Sequence, residues 1–121
     1  MPSTPHPVLA AALGPVAPPP WRAGFYLVES RWKRQTFIHE TDLAQADLDT
    51  VVRMIAEGQY DTGDVTAIYR CDPDSRIMED ETQAVLERVA RHLDRAGTPP
   101  CEPVARLLWQ NGIAFRDDAA E

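Results

Sequence analysis

The stretch that decides the fold runs from residue 24 to residue 71 and reads, in order, GFYLVES, RWKR, QTFIHE, TDLAQADLDTVVRMIAEGQYDTGD and VTAIYRC. Its segments 24–30, 35–40 and 65–71 are rich in aromatic and β-branched residues, a composition that is typical of strands. The polar tetrapeptide 31–34 separates the first two segments. The pattern therefore predicts a hairpin followed, after a longer connection, by a third strand.

Apolar residues that recur every three or four positions predict three helices. The first helix follows the second strand, starts at Asp42 or near Asp47, and buries Leu48, Val51, Val52 and Ile55. The second runs from about Glu81 to Ala96, with Asp80 and Gln83 as a capping box. The third is short, begins at Pro103, and ends at Asn111-Gly112, where glycine suits the left-handed position after a helix and Ile113 can pack back.

The predicted order is β-β-α-β-α-α, an α+β domain with helices packed on a three-stranded sheet. The unit from the second strand to the third is expected to be a right-handed crossover, which makes those strands parallel and puts both carboxyl ends at one edge. We predict a disordered Pro/Ala-rich tail at residues 1–21, a single domain at 22–116 and a frayed acidic terminus at 117–121.

Composition narrows the class of protein. The chain has 121 residues, 44% of them hydrophobic, which is enough for one domain with a modest core. No apolar run approaches the roughly 20 residues that span a bilayer, and no basic leader precedes the apolar segment near the amino terminus. Two isolated cysteines do not make a disulfide framework. We therefore expect a cytoplasmic protein without a membrane partner.

Acidic residues are concentrated between Glu57 and Glu81. This segment holds eight carboxylates and two arginines, so it carries most of the chain's net charge of −7. The predicted topology gathers the larger group at the carboxyl edge of the sheet: His39, Glu40, Asp42, Asp72, Asp74, Glu79, Asp80 and Glu81. Helix capping and turn formation account for Asp42, Asp80 and Glu81 and for Asp72-Pro73-Asp74. The rest of the cluster favours a surface for a cationic partner.

Motifs for catalysis, metals and cofactors are missing from the sequence. There is no HExxH, no CxxC, no Walker A and no GxGxxG, and Asp72-x-Asp74 fails as a calcium loop because Arg76 stands at the next ligand position. No catalytic constellation is visible, so we expect no enzyme activity, cofactor or metal. Nucleic acid is a disfavoured partner, since the basic cluster Arg31-Trp32-Lys33-Arg34 is small and the net charge repels phosphates.

The resulting hypothesis is a non-enzymatic, acidic binding protein that acts stoichiometrically on a protein partner. Its sharpest form is a phage- or plasmid-type inhibitor of a nucleic-acid-handling complex, in the manner of anti-CRISPR and anti-restriction proteins. The predicted partner-binding residues are Glu40, Asp42, Asp72, Asp74, Glu79, Asp80, Glu81 and Trp109. Trp109 is included because it is rotated about 100° from the inward-facing Leu108; it could anchor a partner or a second copy, or be covered by the tail or by residues 113–115.

Two alternatives stay open. One is a metal-assisted hydrolase that uses His39, Glu40, Asp42, Asp72 and Asp74 at the carboxyl edge. The other is a regulatory adaptor or antitoxin that docks through an apolar helical face. Binding through an acidic face weakens with salt, whereas apolar docking does not.

Overall fold

The computed structural model describes residues 17–60 and 64–115, and in these ranges the chain forms an α+β fold. The strands are β1 (Phe25–Trp32), β2 (Gln35–Ile38), β3 (Asp64–Asp72) and β4 (Ile77–Asp80). The helices are α1 (Leu48–Ala56), α2 (Thr82–Ala96) and α3 (Glu102–Gln110), and two 3-10 turns cover Pro20–Ala23 and Leu43–Gln45. The predicted class is confirmed. Most of the predicted tail, residues 1–16, and the predicted acidic terminus lie outside the described residues.

The sheet has four strands rather than the three predicted, in the order β2-β1-β3-β4, and every neighbouring pair is antiparallel. Because β2 and β3 are both antiparallel to β1, they run in the same direction, but β1 lies between them. The predicted common direction of β2 and β3 is therefore found, but the two strands are not neighbours in the sheet. The long β3 pairs along almost all of the long β1, which satisfies more backbone groups than pairing with the four-residue β2 would.

The fourth strand was missed because its sequence lacks a buried face. All four residues of β4, Ile77 to Asp80, are exposed, so the segment shows no alternation of apolar and polar positions. A turn at 73–76 joins it to β3, and Arg76 closes this turn with a left-handed φ of 59°. The main-chain oxygen of Asp72 accepts a hydrogen bond from Arg76 N at 2.8 Å. Local turn chemistry thus sets the hairpin turn, although β4 itself buries no side chain.

The helix ends are capped largely as the sequence predicts, with two differences at the amino-terminal ends of α1 and α2. Asp47 caps α1, because its carboxylate accepts from Thr50 N at 3.1 Å, while Asp42 caps the preceding 3-10 turn by accepting from Ala44 N at 2.9 Å. At the start of α2, Asp80 accepts from Thr82, but Gln83 donates to the carbonyl of Asn111 instead of completing a capping box. The predicted ends of α2 at Gly97 and of α3 at Gly112 are confirmed, since both glycines have positive φ.

The core lies between the helices and one face of the sheet. Val28 of β1 and Ile68 of β3 are the sheet residues at its centre and are paired in register. Each helix contributes its apolar stripe, and the fully buried helical residues include Val51, Ile55, Val85, Leu86, Val89 and Leu108. Ile113 packs back onto this cluster, as predicted, through a hydrogen bond from its N–H to the carbonyl of Leu108. Because α1, α2 and α3 all contribute to this one core cluster, they lie on the same side of the sheet.

Candidate functional site: an acidic hairpin at the sheet edge

Five of the predicted partner-binding carboxylates lie on the β3–β4 hairpin. We call residues 72–81 the acidic hairpin; it carries Asp72, Asp74, Glu79, Asp80 and Glu81, with Arg76 as its single cation. The hairpin forms the outer edge of the sheet, because β4 pairs with β3 alone among the described strands. The structure therefore brings these five predicted residues together on one hairpin.

Two of these carboxylates organise the hairpin itself. Asp72 Oδ1 accepts hydrogen bonds from Asp74 N at 3.0 Å and Ser75 N at 3.4 Å, and these bonds, with that from Ser75 the larger influence, lower the pKa of Asp72. Asp80 Oδ1 accepts from Thr82 N at 2.9 Å and from Thr82 Oγ1 at 2.5 Å, which lowers the pKa of Asp80. These hydrogen bonds thus favour the ionised form of both carboxylates. Their capping role is compatible with a charged surface, since a capping carboxylate keeps its charge.

Asp74 forms an ion pair across the molecule. Its Oδ1 lies 3.0 Å from Arg22 Nη2, and Arg22 belongs to the 3-10 turn that precedes β1. Both side chains are largely exposed, so the pair is worth at most about 1 kcal/mol. This contact neutralises one of the five carboxylates and ties the hairpin turn to the start of the domain.

The remaining two carboxylates, Glu79 and Glu81, make no hydrogen bond or ion pair with any residue in the described ranges. Glu79 is paired in register with Arg70, but the guanidinium of Arg70 donates to the carbonyl of Ala23 at 3.2 Å. Beside these charges, Ile77 is 51% exposed and Met78 is 59% exposed. The edge strand thus presents uncompensated negative charge next to apolar side chains, a combination suited to a protein partner.

The structure does not place all the predicted edge residues on the hairpin. The N–H of His39 bonds to the carbonyl of Val28, and Val28 pairs with Ile68, so the second strand leaves the sheet at His39, about 13 Å before Asp72 along the strand direction. Glu40 follows at this point and is not on the hairpin. Asp42 caps the 3-10 turn Leu43–Gln45, which contacts the turn containing Arg22. The predicted single edge therefore loses His39 and Glu40, because β2 ends opposite the middle of β1, whereas the turn after Asp42 contacts the segment whose Arg22 pairs with Asp74.

His39 is half-buried and bonds inward rather than contributing to the acidic surface. Its Nε2 lies 2.7 Å from Ser30 Oγ, and Ser30 is completely buried. Its ring makes edge contacts with Phe37, at 5.0 Å between centroids, and with Tyr60, at 4.8 Å. Burial lowers the pKa of His39, so the ring is neutral at neutral pH. These contacts give His39 a structural role in the packing of β1 and β2.

An apolar strip on the other face of the sheet was not predicted. Phe25 pairs with Cys71, and Cys71 pairs with Met78, so these three side chains share the face opposite the helices. Leu27 and Tyr69 form the next rank on this face. Glu29 closes it by accepting hydrogen bonds from Thr66 Oγ1 at 2.6 Å and from Tyr69 OH at 3.2 Å. The sequence contained one indication of this strip. All four residues of FYLV in β1 are apolar, so both faces of that strand carry apolar side chains.

Trp109 is 75% exposed, and residues 113–115 do not cover it. It lies on α3, one turn after Arg106, whose Nη2 is 3.7 Å from Asp64 Oδ1 at the start of β3. The exposed position is the one that partner contact requires, but Trp109 is not part of the acidic hairpin. It is a second, separate surface feature.

No three His, Cys, Asp or Glu side chains in residues 17–60 and 64–115 are grouped so that they could hold a metal ion. Comparison with known proteins adds nothing to this geometry, because no family model matches the chain and no curated protein or solved structure matches it significantly. In the part of the chain that the structure describes, no helix is both long and apolar enough to cross a membrane.

Proposed function

We propose that the protein is a non-enzymatic binding protein that recognises a cationic surface of a protein partner through the acidic hairpin. The observation that carries the proposal is the edge strand β4, on which Glu79, without a hydrogen bond or ion pair to the described residues, shares a face with exposed Ile77, while exposed Met78 lies on the other face. Three features occur on this one edge strand: an open strand edge, exposed apolar side chains on both of its faces, and neighbouring carboxylates whose hydrogen bonds favour the ionised form.

Two physical effects would favour binding at this hairpin: attraction between opposite charges and burial of apolar side chains. Carboxylates arrayed along a strand attract a surface that is rich in arginine and lysine, and they speed the encounter and orient it. Exposed Ile77 and Met78 supply the apolar area that charge alone does not provide. A free strand edge adds backbone hydrogen-bonding groups that an extended segment of the partner can meet.

The sharper form of the proposal concerns the class of partner. A surface built to neutralise nucleic-acid phosphates is cationic, so an acidic protein can occupy it in competition with the nucleic acid. We therefore propose an inhibitor of a nucleic-acid-handling complex, of the kind that phages and plasmids encode. Trp109 is proposed as an additional anchor, for the same partner or for a second copy of the chain.

The test is capture of partners from a cell lysate by three baits, at low and at high salt. The first bait is the wild-type protein, and the second carries Glu79→Lys and Glu81→Lys, which reverse the two carboxylates that have no partner. The third carries Glu87→Lys and Glu102→Lys, the same change of charge at exposed helical positions. We expect a nucleic-acid-handling protein on the first and third baits only, and its release at high salt.

Two results would contradict the proposal. A partner held equally by all three baits, whatever the salt, would move the interface to Trp109 or another apolar surface. A partner lost equally from both variants would mean that net charge matters and the hairpin does not.

A further inference from the structure

A groove of about 320 Å³ lies between α1 and α2, on the helical side of the molecule and away from the acidic hairpin. Its charged and titratable lining consists of Asp49, Arg53, Arg88, Arg91, His92 and Arg95. Four arginines thus meet one carboxylate in a concave surface, within a protein whose net charge is −7. The groove is therefore locally positive, although the acidic composition of the chain predicts a mostly negative surface.

The geometry of α2 aligns the cations. Arg88, Arg91, His92 and Arg95 stand at i, i+3, i+4 and i+7, so they share one helix face, and they extend along about 10 Å of its axis. Arg88, Arg91 and Arg95 are exposed and have no hydrogen-bond acceptor or ion-pair partner among the described residues. Like charges at this spacing repel one another and oppose helix formation, and an anion bound between them would offset that repulsion.

The α1 side completes the groove. Arg53 faces these residues from α1, and its Nη1 lies 3.2 Å from Glu57 Oε1, so this guanidinium already has one carboxylate partner while its other N–H groups remain available. Val52 and Thr50 form the neutral part of the lining. Cations on both sides of the groove can therefore reach one ligand from two directions.

We propose that this groove binds a small multivalent anion of the phosphate class, such as a pyrophosphate group. Guanidinium groups match phosphate oxygens in bidentate geometry. The volume is at the low end of the range of small-molecule sites, about 300–1,000 Å³. A long nucleic acid is the less suitable ligand, because it would extend beyond the groove into the field of a protein with a strong negative net charge.

The test is titration of the full chain with inorganic pyrophosphate at low ionic strength, followed by calorimetry and by amide chemical shifts in NMR spectra. The groove variant carries Arg88→Gln, Arg91→Gln and Arg95→Gln. The control carries Arg31→Gln, Lys33→Gln and Arg34→Gln, which remove the same charge from the β1–β2 turn. We expect the largest shifts in α1 and α2, at least about tenfold weaker binding by the groove variant, and binding by the control within about twofold of wild type.

The outcomes separate cleanly. No measurable binding, shifts outside the groove, or equal weakening in both variants would each overturn the proposal. The wild-type shifts locate the site even if the groove variant does not fold. A short single-stranded oligonucleotide is the second probe, and if it bound the groove more tightly than pyrophosphate, the assignment to a small ligand would be wrong.

Discussion

The hydroxyl of Thr82 should contribute strongly to stability, because it connects the acidic hairpin to the core by hydrogen bonds. Its Oγ1 accepts a hydrogen bond from Ile68 N at 2.9 Å and donates to Asp80 Oδ1 at 2.5 Å. Ile68 is completely buried, so the change Thr82→Val leaves its N–H without an acceptor in the interior. A buried unsatisfied donor costs about 1–3 kcal/mol, and we expect the free energy of unfolding to fall by that amount.

The assay is urea denaturation followed by far-UV circular dichroism, with thermal melting as a second measure. A loss of about 1–3 kcal/mol lowers the melting temperature of a domain of this size by about 4–12 °C. The control is Thr82→Ser, which keeps the hydroxyl and should retain most of the stability. A loss below about 0.5 kcal/mol for Thr82→Val, or equal losses for both variants, would refute the reasoning, because the hydroxyl would then carry no net bond energy.

Three further predictions concern other parts of the chain. Burial lowers the pKa of His39 below its ordinary value of 6.5, so the unfolded chain takes up the proton first. The contribution of neutral His39 to stability should therefore be complete above pH 6.5 and decline as the pH falls below it. In the variant His39→Gln, the melting temperature should depend less on pH between pH 7 and about 5.5 than it does in the wild type. An equal dependence on pH in the two proteins would contradict this. Leu108→Ala should cost about 2–5 kcal/mol in urea denaturation because Leu108 is completely buried, whereas Trp109→Ala, at a 75% exposed position, should change stability by less than about 0.5 kcal/mol; comparable losses would mean that Trp109 is packed. A thiol reagent should modify Cys101, which is exposed, in the native protein and spare Cys71, which is buried and whose pKa burial raises, until urea unfolds the chain; rapid modification of both thiols would contradict the described packing.

The sequence was informative wherever a local rule determines structure. The helices α1 and α2 followed from their 3.6-residue apolar stripes, and Gly97 and Gly112 marked helix ends because their left-handed φ suits glycine. The strand β4 could not be found in this way. Its residues bury no face, and its formation depends on the turn after Asp72 and on an open edge of β3.

Long-range arrangement was the part that local patterns could not determine. The position of β1 between β2 and β3 depends on the summed pairing of whole strands, and with the early end of β2 it separates Glu40 from the hairpin carboxylates. The ion pair between Arg22 and Asp74 joins residues far apart in the chain and has no sequence signature. The predicted density of charge survives on the hairpin because those residues are close in sequence.

The most direct test of the central claim is the affinity of the captured partner, once purified, as a function of salt between about 50 and 500 mM, a range over which screening changes strongly. We predict that the dissociation constant of the wild-type protein rises steeply with salt. The variant with Glu79→Lys and Glu81→Lys should bind weakly throughout, and the control with Glu87→Lys and Glu102→Lys should follow the wild type. An affinity that responds neither to salt nor to reversal of the hairpin charges would contradict the account.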